Sequence, residues 1–247
     1  MNRLAPMAVL AALAAGWEAL ARLGHVADYL LPAPSDVATT LWDDRSLLAG
    51  DAWVTGQEVL LGFAIALVAG TALAVVLHLS PVLRGALYPL VVGSQAVPVI
   101  VIAPILVIWL GFGMGPKLVV IALVCFFPIV VNMLDGLRSV DGAQVKMLRT
   151  LGAGRLDVFR RVELPSSLPY LFSGARIAVA VAVIGAVFGE LVGSDAGLGH
   201  VIQVGTAQLL TARVFAAVFL LAAMAIALFA LVSVLERAIV TWEPADR

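Results

Sequence analysis

The chain has 247 residues, 62% of them hydrophobic and 13% charged, with a mean hydropathy of +1.08 and a formal net charge of -1. Soluble domains run at roughly 45 to 50% apolar and about 25% charged, so a soluble core cannot absorb this excess and a lipid bilayer is the expected solvent. The near-zero charge leaves no basic footprint for nucleic acid, and Cys125 is the single cysteine, which excludes an intrachain disulfide or a cysteine metal cluster.

A helix that crosses hydrocarbon needs about 20 mostly apolar residues, because only internally hydrogen-bonded backbone survives there. Six stretches qualify: Leu4 to Leu23, Val59 to Leu79, Leu87 to Leu110, Leu118 to Leu134, Leu168 to Val192 and Val214 to Leu235. The first follows Arg3 and carries Glu18 late in its run, and it reads as an anchor rather than a signal peptide. After it come Asp28, Asp36, Asp43, Asp44 and Asp51, with the segment LPAPSDVATTLW expected as a turn and a short interfacial helix anchored by Leu30, Leu31, Leu41 and Trp42. Glu58 begins the second span and is expected in solvent; His78, near its other end, is expected among headgroups.

The third span holds Pro89, Pro98 and Pro104, each of which removes a backbone donor. It is either a kinked packing helix or one that lines a cavity, where freed carbonyls find partners. Ser94, Gln95 and, in the fourth span, Asn132 are neutral polar groups suited to a passing solute or to interhelical hydrogen bonds. Cys125, beside Val124, Phe126 and Phe127, reads as buried apolar filler. In the fifth span Gly185, Gly189 and Gly193 recur every four residues, leaving one face bare for close helix approach, in a dimer interface, a pore wall or within one subunit. Glu190 lies beside that face; an ionisable group in a span is costly without water or a partner, which makes it a candidate on a substrate path or a structural hydrogen-bond acceptor. Arg176 is expected to snorkel to the interface.

With an even number of spans both termini share a side. If that side is inside, Arg3, Arg84, Arg138, Lys146, Arg149, Arg155, Arg160, Arg161, Arg176, Arg237 and Arg247 are inner, 11 of the 15 Lys/Arg, against Arg22, Arg45, Lys117 and Arg213 outside. The bias of Lys and Arg to cytoplasmic loops then places both termini in the cytoplasm.

The inner loop between the fourth and fifth spans, residues 138–165, is the most informative segment. Val145, Leu148 and Leu151 fall on one helical face and Gly152 ends that helix; a second short helix is expected from Arg155 to Val162, stopped by Leu164 and Pro165. Two short helices jointed at a glycine suit docking into a partner's groove. Gly152, nine residues, then Val162, Glu163, Leu164 and Pro165 resemble the cytoplasmic signature of permeases of binding-protein-dependent ATP-binding-cassette importers, which reads Glu-Ala-Ala, three residues, Gly, nine residues, Ile, any residue, Leu, Pro. Lys146, Met147 and Leu148 depart from the Glu-Ala-Ala positions.

The run from Pro98 to Asp141 and the segment VGSDAGLGHVI are similar to the branch that imports nitrate, sulfonates, taurine and pyrimidine precursors of thiamine, with FSGARIAVAVAVIGAVFGELVGSDAGLG leaning toward the last. The resemblance implies an all-α polytopic membrane protein of about six helices in the type I importer permease fold, a single permease domain over 1–247. It further implies a coupling surface at Val145, Leu148, Leu151, Gly152, Val162, Leu164 and Pro165. The implied partners are a separate ATPase subunit holding ATP and Mg, an extracytoplasmic solute-binding protein and a second permease copy, in the inner membrane of a bacterium. Residues agree on the division of labour: GFGMGPKL lacks the spacing and hydroxyl of a P-loop, and His25, His78 and His200 are scattered, so neither a nucleotide site, a metal site nor a catalytic constellation is expected here. A thiamine pyrimidine precursor is the favoured solute and nitrate, sulfonate or taurine the alternative. A secondary transporter or channel without an ATPase is the reading from another class; it calls for inverted repeats and coupling charges.

Overall fold

The structure, a computed structural model, describes residues 4–24, 27 and 29–242; Arg3, His25, Asp28 and Arg247 lie outside them. Among the described residues the chain is helical throughout, with no strand: α1 (Leu4–Leu23), α2 (Pro34–Asp43), α3 (Arg45–Leu79), α4 (Pro81–Gly93), α5 (Val99–Leu110), α6 (Met114–Arg138), α7 (Gly142–Thr150), α8 (Arg155–Val158), α9 (Leu164–Leu191), α10 (Leu198–Ala207) and α11 (Thr211–Ile239). Four helices are long and apolar enough to cross a membrane alone: α3, α6, α11 and the continuous helix Arg155–Leu191. The pair α4 and α5, bent by 100°, makes a fifth if counted as one span. α1 has the 20 residues a sixth requires, and its Trp17 ring packs 5.6 Å from Phe215 and 6.1 Å from Phe219 of α11.

α6 is the axis of the bundle, held between α3 and α9. Helices in lipid gain little from burying apolar surface and associate by close van der Waals contact over small residues. α3 offers Gly62, Ala66, Gly70 and Ala74 at every fourth position, all buried. Ile121 of α6 fills the space at Gly62, where a Cβ would come within 2.6 Å of it, and Ile129 does the same at Gly70. On the opposite side a Cβ on Gly174 of α9 would meet the Pro128 carbonyl oxygen at 2.6 Å. Cys125 is fully buried between, its thiol donating to the Ala178 carbonyl at 3.2 Å.

Three sequence expectations change. α3 starts at Arg45, well before Val59, so Glu58 is not a solvated first residue: it is 1% exposed inside the helix packing. The third span breaks between the 3-10 turn Ser94–Ala96 and α5, with Val97 and Pro98 both extended; the ring of Pro98 disfavours helix at Val97 and supplies no N–H. Proline does not end the helix at Pro165, however. The chain runs from Arg155 to Leu191 as one helix with a π-helical turn at Phe159–Glu163, and that wider turn gives the Pro165 ring room against the carbonyls one turn back.

His78 ties the end of α3 to the root of the long helix, its Nε2 2.9 Å from Glu163 Oε2. Arg155 donates to the Leu79 carbonyl, so the root of the long helix is clamped to the C-terminus of α3. Arg176 pairs with Glu236 of α11 and donates to Ser173 at 3.1 Å.

Candidate functional site

The break at Pro98 opens a cleft of about 610 Å3 beside α6 and α9. The turn contributes Ser94 and Gln95; α6 contributes Phe127 and Asn132; α9 contributes Ile184 and Phe188. No residue lining it carries a charge. Ser94 Oγ donates to the Val91 carbonyl at 2.7 Å and Asn132 Nδ2 to the Pro128 carbonyl at 2.8 Å, which satisfies helix carbonyls locally and leaves Asn132 Oδ1 free to accept. Gln95 is exposed, and its amide has no hydrogen-bond partner among the described residues. Three of the four residues singled out as path candidates therefore converge on one apolar wall with amide groups set in it, the make-up of small-molecule sites.

The fourth, Glu190, is absent from that lining and fully buried. Its Oε1 accepts from Thr55 Oγ1 at 2.6 Å, its Oε2 accepts from the Gly199 N–H, and Thr55 Oγ1 accepts from the Leu198 N–H at 2.9 Å. The carboxylate thus caps the first turn of α10, where unpaired N–H groups and the helix dipole favour negative charge. Asp51 accepts from the Gly197 N–H at 2.7 Å in the same turn. Beside it Lys117 Nζ, 2.6 Å from Glu58 Oε1 and 2.6 Å from Ser194 Oγ, joins α3, α6 and the turn before α10. Sequence reasoning passed over Thr55 and α10, placed Glu58 in solvent and counted Lys117 only as an outer charge. The available signal was Lys117 in an apolar run, since a charge in a span must have a partner.

The glycines read as a bare face meet α6 within the chain: a Cβ on Gly185 would lie 2.8 Å from Val124 and one on Gly189 3.2 Å from Lys117, while Gly193 follows α9 in a turn against Phe112. A second cleft of about 630 Å3, between α1, α2 and the start of α11, contains Arg22, Asp36, Asp44 and Arg213. Its charges are already matched, Arg22 to Asp36 at 2.6 Å and Arg213 to Asp44 at 2.7 Å, and none of the path candidates borders it.

At the opposite end of the bundle α7 stands out from the body. Asp141 caps it, accepting from the Ala143 N–H at 2.8 Å. It ends at Gly152, φ +85°, with Gly152 N–H on the Arg149 carbonyl and Ala153 N–H on the Leu148 carbonyl, both at 3.0 Å, the paired bonds of a Schellman motif. Val145 and Leu148 are half-buried, while Met147 and Leu151 are exposed at 62% and 74%. Val162, Leu164 and Pro165 are half-buried in the root of the long helix.

Comparison with known proteins supplies the context. The profile of the family described as binding-protein-dependent transport system inner membrane component matches residues 62–241. A probable ABC transporter permease protein of Haemophilus influenzae is 37% identical over 226 residues, covering 92% of each chain. A formylaminopyrimidine transport permease of Halalkalibacterium halodurans is 37% identical over 92% of this chain and 90% of its own, and a taurine transport permease of Escherichia coli 29% over 94% and 87%. In fold, a chain of the MetNI methionine ABC transporter in an inward-facing conformation superposes with a TM-score of 0.67, covering 79% of this chain and 97% of its own at 21% identity. The membrane-crossing bundle with its helix break and protruding loop thus belongs to the family of binding-protein-dependent transport system inner membrane components, as an ABC transporter permease subunit that is not itself an enzyme.

Proposed function

We propose that this permease moves a small, neutral, polar heterocycle of the thiamine pyrimidine-precursor kind into the bacterial cytoplasm by alternating access. The single observation that carries the reading is the uncharged cleft at the helix break, whose lining includes the amides of Gln95 and Asn132 and the rings of Phe127 and Phe188. Amides match the donor and acceptor edge of a flat heterocycle and the rings match its faces. Two copies of the chain facing each other across their clefts would close the cavity. The loop 138–165 docks on a separate ATPase subunit that holds ATP and Mg, through Val145 and Leu148 on α7, Leu151 and Gly152 at its C-terminal cap, and Val162, Leu164 and Pro165 at the root of α9. An extracytoplasmic binding protein delivers the solute to the opposite face, and the whole of 1–247 works as one permease domain with cytoplasmic termini. A relative that carries formylaminopyrimidine at 37% identity supports the solute class.

A small anion such as a sulfonate is the second reading. The N-terminus of α5 opens onto the same cleft at Val99, and helix N-termini favour negative charge. Uptake of a labelled aminopyrimidine by proteoliposomes containing the permease, ATPase and binding protein separates the two. Transport should be competed by unlabelled pyrimidine and not by taurine, and Gln95→Ala or Asn132→Ala should lower it at least several-fold while ATPase assembly is kept. Competition by taurine alone overturns the heterocycle in favour of the anion.

A further inference from the structure

Glu58, Glu190 and Lys117 are the only buried charged side chains among the described residues, 1%, 0% and 7% exposed. Their hydrogen bonds leave a specific deficit. Glu190 accepts from Thr55 and from Gly199 with its two oxygens. Lys117 reaches Glu58 Oε1 and Ser194, and Ser194 passes its own hydrogen to the Ala196 carbonyl. Glu58 Oε2 is buried and has no donor. Thr55, one turn before Glu58 on the same face of α3, holds the Glu190 carboxyl at 2.6 Å, which sets the two carboxyl groups side by side, and two ionised carboxylates have nothing to donate to each other.

Charge points the same way as geometry. Two carboxylates and one ammonium leave one negative charge in a site shut off from water, where unpaired charge is expensive. One added proton neutralises the cluster and supplies the missing donor at once. We propose that Glu58 and Glu190 hold a single proton between them as a buried carboxyl–carboxylate pair, and that this proton closes the network joining α3, α6, α9 and α10.

The titratable and charged groups around the pair are Asp51 on α3, Lys117 on α6, Asp195 in the exposed turn and His200 on α10, with Arg213 of α11 taken up by Asp44. Removing the proton sets two anions side by side against one ammonium and pushes α3 and α9 apart at this end. The stability that the proton supplies is therefore complete at low pH and is lost as pH rises far enough to strip it.

Glu58→Gln makes the proton unnecessary: the amide oxygen accepts from Lys117 and the amide N–H donates to Glu190 permanently. The test uses the full-length permease in lipid nanodiscs, read by infrared absorption of the protonated-carboxyl C=O stretch and by thermal unfolding across pH; neither requires a transport assay. The wild type should show the protonated-carboxyl band at neutral pH and an unfolding temperature that falls in alkali relative to Glu58→Gln. In Glu58→Gln the band should vanish and the protein should remain folded. Glu190→Gln should also lose the band but unfold at a lower temperature, because one amide oxygen then serves both Thr55 and Gly199. A wild type without the band, or a band undiminished in Glu58→Gln, overturns the proposal.

Discussion

At Gly152 a Cβ would meet nothing within 4 Å, yet φ is +85°. The cost of a side chain there lies in the backbone alone, roughly 1 to 2 kcal/mol for a residue forced into the left-handed region and most for a β-branched one. Gly152→Val is expected to insert normally but to lose the Schellman closure of α7. Co-purification with the ATPase subunit should weaken, or hydrolysis should run without uptake in proteoliposomes; wild-type values in both assays would count against the docking role. Lys117 poses the opposite case, since its cost lies wholly in its partners. Lys117→Met strands Glu58 without a cation, and removal of one partner from a buried pair costs about 3 to 5 kcal/mol. A sharp fall in unfolding temperature is the expected outcome, and an unchanged one would mean the carboxylate has another source of charge.

Among the elements, the contact of α6 with α3 and α9 rests on missing side chains. Leucine at Gly174 drives into the Pro128 carbonyl at a position where a Cβ alone would stand 2.6 Å from it, and backbone cannot yield as a side-chain tip can. Gly174→Leu should abolish accumulation of folded permease, whereas leucine at Gly85, which meets nothing within 4 Å, should leave the yield unchanged. Much of this level was legible in the sequence: long apolar runs, the glycine interval, the helix stop at Gly152. What escaped depends on distant partners. The polar start of α3 looks like loop because Thr55 and Glu58 find their bonds at residues 190 and 117. Three prolines in the third span look alike, and only Pro98 falls where the extended Val97 joins it to break the helix. Pro165 reads as a stop because a local rule has no knowledge of a π-helical turn upstream.

For the whole molecule the charge bias and the fold make a joint demand. Asp43 and Asp195 sit at the α10 end, Arg155 at the α7 end, and all three are exposed. Single cysteines at 43 and 195, in a Cys125→Ala background, should react with an impermeant maleimide in intact cells, and one at 155 only after permeabilisation. Labelling of position 155 from outside would invert the orientation and remove the docking loop from the cytoplasm. The helix from Arg155 to Leu191 links these ends directly: the loop 138–165 joins it at one end, Ile184 and Phe188 line the cleft, and Glu190 holds α10 at the other. In the proposed cycle such a rod carries not only push but phase. Each residue of an α-helix advances about 100° around the axis, and a turn one residue wider takes up that advance, so the π-helical turn Phe159–Glu163 holds the loop on its bearing to the cleft despite the extra residue. Deleting Arg161 should restore plain α-helix, leave both ends folded and on nearly the same bearing, and remove only the slack of the wider turn. A permease in which the ATPase still binds but transport is lost would identify this turn as the place where the rod must give; full transport in the deletion would show that the rod works as well without it.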